Sequence, residues 1–428
     1  MGDISQRLSS LSPEQRKLFE RRLSGRGLRA PASAGLAGEK QAARTGGDGE
    51  TESGGVFSQQ PTAAQPMKFS LFFFSADGST ETTDKYRLLI ESAQFADQHG
   101  FSAVWTPERH FQNFGGLYPN PSVLGAALAM ITERIQIRAG SVALPLHHPV
   151  RVAEEWSVVD NLSGGRAGVS FASGWHPLDF VLAPEAYHNR KELMFRNIEI
   201  IQRLWAGEAV SFPGVDGAKV PLKLLPGPLQ PRLPIWITIS NNTETWTRAG
   251  AIGANVLTAV VKQPLAALAE KIALYRQARA AHGHDPELGQ VTVMLHTFVG
   301  DDDESVREIV RPALSRYFRD NIKQLELQTE LLISTQGNYS SLELRELRAD
   351  DAESIASFAF QRYYETTLLC GTPRKCSELI RKLAALGVNE VACLIDFGVD
   401  PVVVKESLFH LNHLREECSR QAAEACAI

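Results

Sequence analysis

From Met67 onward, short apolar runs alternate with stretches of helical periodicity, and this alternation limits the fold more than any other feature of the chain. Lys68-Phe-Ser-Leu-Phe-Phe-Phe74 reads as a strand buried on both faces. Further strands are predicted near 101–105, 135–142, 167–172, 234–239, 253–257, 291–299 and 389–395. Helices are predicted near 84–99, 121–132, 150–162, 190–206, 243–250, 264–282, 302–318, 373–386 and 403–418. A strand that is repeatedly followed by a helix pairs in parallel, and eight such units close on themselves, so the expected fold is α/β, a (β/α)8 TIM barrel. An open dinucleotide-binding sheet would carry Gly-x-Gly-x-x-Gly after its first strand, and the residues after Phe74 lack it. Two stretches are too long for ordinary connections, Gly207 to Pro234 and about 320 to 366, and such insertions usually shape or cover a barrel's site.

The residues before the barrel differ in kind. In 1–29, Ser12-Pro-Glu-Gln15 offers a cap, a first-turn proline and a capping-box partner, and Leu11, Leu18, Phe19 and Leu23 recur at helical spacing. A short amphipathic helix follows from this, serving as a tether or as an inter-module docking element. Residues 30–66 are rich in Ala, Gly, Ser, Thr and Gln and nearly free of bulky apolar side chains, which predicts a flexible linker. Residues 67–428 form the barrel domain. Residues 1–45 hold nine Lys/Arg against four Asp/Glu, so the arm is basic and suits an acidic partner.

Charge over the whole chain is nearly balanced, 44 Lys+Arg against 49 Asp+Glu, which argues against nucleic acid as a partner. No apolar run is long enough to span a membrane and no signal-peptide core begins the sequence, so a cytoplasmic location is expected. The five cysteines, all beyond residue 369, show no metal-ligand spacing and read as buried or free thiols, with a redox pair as the alternative. His147-His148 is a poor metal pair because adjacent side chains point in different directions, and no metal site is expected.

Function in a parallel barrel belongs to the carboxyl ends of its strands. There the sequence places Glu108-Arg109-His110, with Phe111 and the Gly115 to Tyr118 turn as candidate apolar walls. Gly140-Ser141 sits inside a strand, either as a β-bulge or as the point where a flat ring approaches the backbone. Ala172-Ser173-Gly174-Trp175 is either a plain tight turn or a small-residue floor with donors for an anion. Ser240-Asn241-Asn242-Thr243 opens a helix, as an ordinary N-cap or as an anion site at the positive end of the helix dipole. Tyr187 precedes a helix in which Arg190 or Arg196 either pairs with Glu192 or Glu199 or faces the site.

Five strings in order, Phe101 to Phe111, Asn120-Pro-Ser-Val123, Leu144-Pro-Leu-His-His-Pro-Val-Arg151, Leu162-Ser-Gly-Gly-Arg166 and Phe171-Ala-Ser-Gly-Trp175, resemble the bacterial luciferase-like monooxygenases, and more closely their branch in natural-product assembly lines. The resemblance implies a barrel that binds reduced FMN, supplied by a separate reductase, and uses O2 as co-substrate through a flavin C4a-peroxide. It implies a cis peptide at Gly140-Ser141 beneath the flavin ring and a phosphate loop at Ser240 to Thr243. Ala172, Ser173, Gly174, Trp175 and Tyr187 complete the implied cofactor site. Luciferases have Glu-His-His at the first tip; Arg109 replaces the histidine usually given proton transfer, which leaves that role to His110. Ser173 stands where luciferase has a phosphate-contacting arginine. Leu11 to Leu23 looks like the leucine-arginine linkers of nonribosomal peptide and polyketide synthetases, which implies hydroxylation of an acyl, aminoacyl or peptidyl group on a carrier protein. Relatives are commonly homodimers. The alternatives are Baeyer-Villiger oxygen insertion, an F420-dependent oxidoreductase, and a non-catalytic scaffold barrel.

Overall fold

A computed structural model describes residues 66–74, 84–112, 116–260, 265–317, 360–361 and 363–426. The helix expected in 1–29, nearly all of the linker, and the 318–359 part of the second insertion lie outside the described residues.

In chain order the elements are β1 (Lys68–Phe72), α1 (Arg87–Gln98), β2 (Ala103–Thr106), α2 (Pro121–Ala129), β3 (Gln136–Ala143), α3 (Pro149–Ser163), β4 (Ala167–Ala172), α4 (Arg190–Trp205) and β5 (Val210–Pro213). They continue with β6 (Lys219–Leu222), β7 (Ile235–Thr238), α5 (Thr243–Ala251), β8 (Asn255–Ala259), α6 (Leu265–Ala281) and β9 (Val291–Val299). A helix over 303–317, α7, follows. The chain closes with β10 (Leu369–Gly371), α8 (Pro373–Ala385), β11 (Glu390–Leu394) and α9 (Pro401–Cys426).

Strands β1, β2, β3, β4, β7, β8, β9 and β11 pair in parallel in that order, and β11 returns to β1 with Lys68 opposite Glu390 and Phe72 opposite Leu394. This is the closed eight-stranded (β/α)8 barrel expected from the alternation. Every pairing is parallel, so all eight carboxyl ends share one rim. Local sequence sets the helix limits. Asn120 caps α2 by accepting from the amides of Ser122 (2.9 Å) and Val123 (3.1 Å), and α3 stops at Gly164, whose φ of 69° is left-handed. Alternate strand residues point outward into the main core beneath the helices, among them Phe69, Leu71, Val104, Ile137, Val169, Ile237 and Val293. The others face inward with Phe72, Trp105, Trp236, Leu257 and Leu394.

An ion pair lies in the amino-terminal half of the interior. Arg138 Nη1 donates to both oxygens of Glu390 at 3.0 and 2.8 Å, and the guanidinium lies 4.7 Å from the Trp105 ring and 4.3 Å from the Trp236 ring. Ser102 Oγ and Gln290 Nε2 each donate to the same carboxylate at 2.8 Å. Burial pushes the Glu390 carboxyl up, but the Arg138 charge and these donors outweigh it and leave it below the usual range. A cavity of about 350 Å3 opens below this pair, lined by Lys68, Gln136 and Asn255 among others, on the face opposite the rim.

The first insertion corrects an expectation. Gly207 to Pro234 carries the antiparallel β5-β6 hairpin, and its later residues bind the amino-terminal side of the barrel: Gln230 Nε2 donates to Ala167 O at 2.8 Å, and the Asp160 carboxylate accepts from Leu229 N at 2.7 Å. From the hairpin, whose Phe212 ring lies 5.1 Å from that of His148, it runs along the outside of α3 past Ser157 to Asp160 rather than forming a loose cover.

Removing one partner of the interior ion pair leaves the other charged and dry. Arg138→Ala is expected to cost roughly 3–5 kcal/mol, read as a lowered midpoint in chemical denaturation. A variant as stable as the parent would show that Glu390 is neutral in the fold.

Candidate functional site

The first rim cluster is built by β2 and β3. The strand runs from Thr106 into Pro107-Glu108-Arg109-His110, and the side chain of Glu108 is only 1% exposed. Glu108 Oε2 accepts from the amide of Ala143 at 2.7 Å. Its Oε1 meets two imidazoles, His110 Nε2 at 2.8 Å and His147 Nε2 at 2.6 Å. Burial favours the neutral carboxyl, but hydrogen bonds from both histidines and the amide dominate and hold Glu108 below the usual carboxylate range. Burial lowers the proton affinity of His147 while the bond and charge of Glu108 raise it, and the balance is upward. His148 turns elsewhere, 5.1 Å from the Phe212 ring.

Arg109 is buried and points to the other side. Its guanidinium lies 4.8 Å from the Phe74 ring and 5.4 Å from the Trp175 ring, and burial lowers its proton affinity without bringing an arginine near neutrality. Asp179 is close enough to oppose that shift, and its own carboxyl is pushed up by burial. Phe74 and Trp175 thus wall Arg109, while the Phe111 ring stands beside His110, with centroids 5.5 Å apart. Phe111 has a φ of 58° and is 58% exposed, because the left-handed turn carries its ring outward. Gly115 lies outside the described residues, and Tyr118 is buried with its hydroxyl donating to Asp396 at 3.0 Å.

The second cluster comes from β3, β4 and β7, neighbours in the sheet. The Gly140-Ser141 peptide is cis, and the β3-β4 register shifts between Gly140 and Val142. A Cβ on Gly140 would come within 2.6 Å of the Phe72 ring, so only glycine fits there. Ser141 Oγ and Thr238 Oγ1 are 2.5 Å apart, and Thr238 Oγ1 is 2.7 Å from Ser170 Oγ, giving a row of three hydroxyls across three strands. After Ala172 and Ser173, Gly174 takes a φ of 71°, and a Cβ there would meet Phe180 at 2.9 Å. Phe180 in turn packs edge-on against Tyr187, with ring centroids 5.0 Å apart. Arg190 lies 4.6 Å from the Tyr187 ring rather than pairing with a glutamate, and Glu192 pairs with Arg248.

At the third tip, Ser240, Asn241, Asn242 and Thr243 are exposed. Asn242 is the N-cap of α5, accepting from the Thr245 amide at 2.9 Å, so the capping reading holds. A cation is also present: Lys271 Nζ on α6 donates to Asn241 Oδ1 at 3.2 Å, and burial lowers its proton affinity. The parallel β3-β4-β7 order carries all three turns to one rim.

Several residues of this rim were not legible as a site in the sequence. His147 belongs to a string read for metal binding and for the family resemblance but given no role in the site, and Thr238 is one ordinary threonine in a strand. Asp179 and Lys271 lie in helices that carried no motif. His296 faces the interior by alternation with Thr292 and Met294; it is 1% exposed, packs 4.4 Å from the Tyr317 ring, and neither ring nitrogen has a hydrogen-bond partner among the described residues. Burial holds it neutral, with a pKa lowered to about 3. The β9 alternation was the signal that could have found it.

The structure is a closed parallel barrel with a small-residue, hydroxyl-lined stretch of rim across β3, β4 and β7. The family of luciferase-like monooxygenases matches residues 67–390, and the chain belongs to that family of flavin-dependent monooxygenases. The oxygenase component of flavin-dependent trigonelline monooxygenase from Acinetobacter baylyi is 29% identical over 252 residues, covering 56% of this chain and 67% of that protein. An alkanal monooxygenase alpha chain from Photorhabdus luminescens is 23% identical over 356 residues, covering 80% and 95%. Among solved structures, the oxygenating constituent of 3,6-diketocamphane monooxygenase from Pseudomonas putida, a type II Baeyer-Villiger monooxygenase in complex with FMN, superposes with a TM-score of 0.65 at 19% identity, covering 81% of this chain and 97% of that one.

Gly140→Ala is expected to destabilise the protein by about 1–3 kcal/mol through overpacking against Phe72 and to weaken flavin binding. Combining it with Phe72→Leu should recover most of the stability in a thermal melt. Failure of the double variant to improve on the single one would place the strain elsewhere.

Proposed function

We propose that the protein is the oxygenase of a two-component system, taking reduced FMN from a separate reductase and using O2 to hydroxylate an acyl, aminoacyl or peptidyl group carried on a carrier protein of a nonribosomal peptide or polyketide synthetase. The observation that carries the flavin reading is the meeting of Ser141 and Thr238 at 2.5 Å beside a glycine that admits no side chain. Reduced FMN supplies two electrons, which with O2 and protons give one oxygen atom to the substrate and the other to water.

The residues present fit that group. Gly140 lets a flat ring approach the backbone, the Ser141, Thr238 and Ser170 hydroxyls offer hydrogen bonds to its polar edge, and the small Ala172, Ser173 and Gly174 leave room beside it. Ser240 to Thr243 at the α5 amino terminus, with Lys271 behind Asn241, suit the phosphate, and Lys271 supplies a positive charge that Ser173 cannot. Trp175 and Tyr187 flank this floor.

Arg109, charged and set between Phe74 and Trp175, is suited to hold a substrate carbonyl or an oxygen anion in a dry setting. His110 moves the proton. Its Nε2 is engaged by Glu108, so uptake and release fall to Nδ1, while Glu108 orients the ring. The carrier-bound substrate rests on the leucine-arginine string at Leu11 to Leu23 and on the basic charge of residues 1–45, which suits acidic carrier proteins. Residues 1–29 are then a docking or inter-module element, 30–66 its tether, and 67–428 the catalytic domain, working as a homodimer in the cytoplasm. No helix among the described residues is long and apolar enough to cross a membrane.

Anaerobic titration with reduced FMN and, in parallel, reduced F420, followed by O2 and mass spectrometry of a loaded carrier protein, tests this directly. FMN binding and a carrier-bound product heavier by one oxygen are expected. The position of that oxygen separates hydroxylation from Baeyer-Villiger insertion, preferential F420 binding would redirect the reading to hydride transfer, and no binding of either would leave a scaffold. Arg109→Ala and His110→Ala should keep fold and flavin affinity while lowering product formation, His110→Ala by about 10²–10⁴-fold. Unchanged product formation in both variants would remove them from the mechanism.

A further inference from the structure

We propose that His147 is a positioning residue of the oxygenation site, setting through one shared oxygen of Glu108 how readily His110 takes up a proton. The proposal rests on the role given to His110 above. Its own ground is geometric. Nε2 of both imidazoles reaches Glu108 Oε1, at 2.8 Å for His110 and 2.6 Å for His147, while Oε2 is engaged by the Ala143 amide at 2.7 Å. That amide bond keeps the carboxylate from turning to offer each histidine its own oxygen. One negative charge, almost fully withdrawn from water, therefore serves two groups that can each become positive.

Groups arranged in this way titrate as a pair. When His147 is charged it neutralises Glu108 and adds a like charge nearby, and His110 becomes a weaker base; when His147 is neutral, His110 has the whole carboxylate charge to itself. The two differ in exposure, 33% for the His147 side chain and 12% for that of His110. His147 is thus the more open of the two to exchange with water. Other charges bear on each ring. Glu155 on α3 favours the charged form of His147, Asp179 lies within electrostatic reach of His110, and Arg109 adjoins it with opposite effect. No bond to carbon or oxygen is made or broken by His147; a proton gained by His110 at Nδ1 comes from the reacting group or from water and is returned there.

A tether role alone is the competing explanation, in which His147 only fastens the turn after β3 to Glu108. NMR titration of the histidine rings in the full, flavin-free chain separates the two. In the parent protein, the curves for His110 and His147 should each show the other's inflection. In His147→Asn, which keeps an amide donor but cannot titrate, the midpoint of His110 should rise by about one pH unit. In His110→Asn the His147 curve should lose its second inflection, since the coupling free energy is reciprocal. The pH limb of product formation assigned to His110 should move with it in His147→Asn. Independent curves in the parent protein, or an unchanged or lowered His110 midpoint in the variant, would overturn the proposal. The parent titration decides the matter even where the variant fails to fold. Absence of reduced-FMN binding would instead strike the flavin reading and leave the measured coupling standing.

Discussion

The interior of this barrel is occupied unequally along its axis, and the placing of the Arg138-Glu390 pair between Trp105 and Trp236 underlies that inequality. The pair and its polar neighbours lie in the amino-terminal half with large aromatic volume and a fully partnered charge. A buried pair of this kind contributes little net stability, but losing one member is costly, so the lower half is held to one arrangement. Toward the carboxyl ends of β3, β4 and β7 the inward side chains are small or hydroxyl-bearing: Gly140, Ser141, Ser170, Ala172 and Thr238.

The rim itself has two chemistries side by side. Toward β4 and β7 it offers glycine, hydroxyls, helix amides and the Lys271 amine. Toward β2 it offers Glu108, His110 and His147, with Arg109 nearby against aromatic rings. A reaction that needs a cofactor held firmly and a proton moved nearby requires such a division, because groups that bind the cofactor should not change charge as the proton moves. The substitution of Arg109 into the Glu-His-His pattern alters this side most. An arginine can hold an anion but cannot act as a base near neutral pH, whereas the histidines that share Glu108 can.

Much of this was legible before any coordinates. Apolar runs at 68–74, 135–142, 167–172 and 291–299 became strands within a residue or two of their predicted limits, since each is buried on both faces and shows it locally. The strand ends that carried unusual residues did converge on one face. Phe111 does stand beside His110, but its left-handed backbone and its 58% exposure are not encoded in its identity. The insertion at Gly207 to Pro234 was given a place over the site from its length, whereas it runs along the outside of α3.

The sequence by itself determined the order of strands and helices, and with it the barrel, the shared rim and the family, because alternation, caps and turn residues act over a few positions and survive in any reading of the chain. Only the tertiary structure decided which side chains meet there. Glu108 finds His147 across 39 residues and Ser141 finds Thr238 across 97, contacts set by strand register and closure of the sheet. No local pattern announces such a meeting, since a histidine or threonine looks the same in sequence whether its partner is water or a buried oxygen.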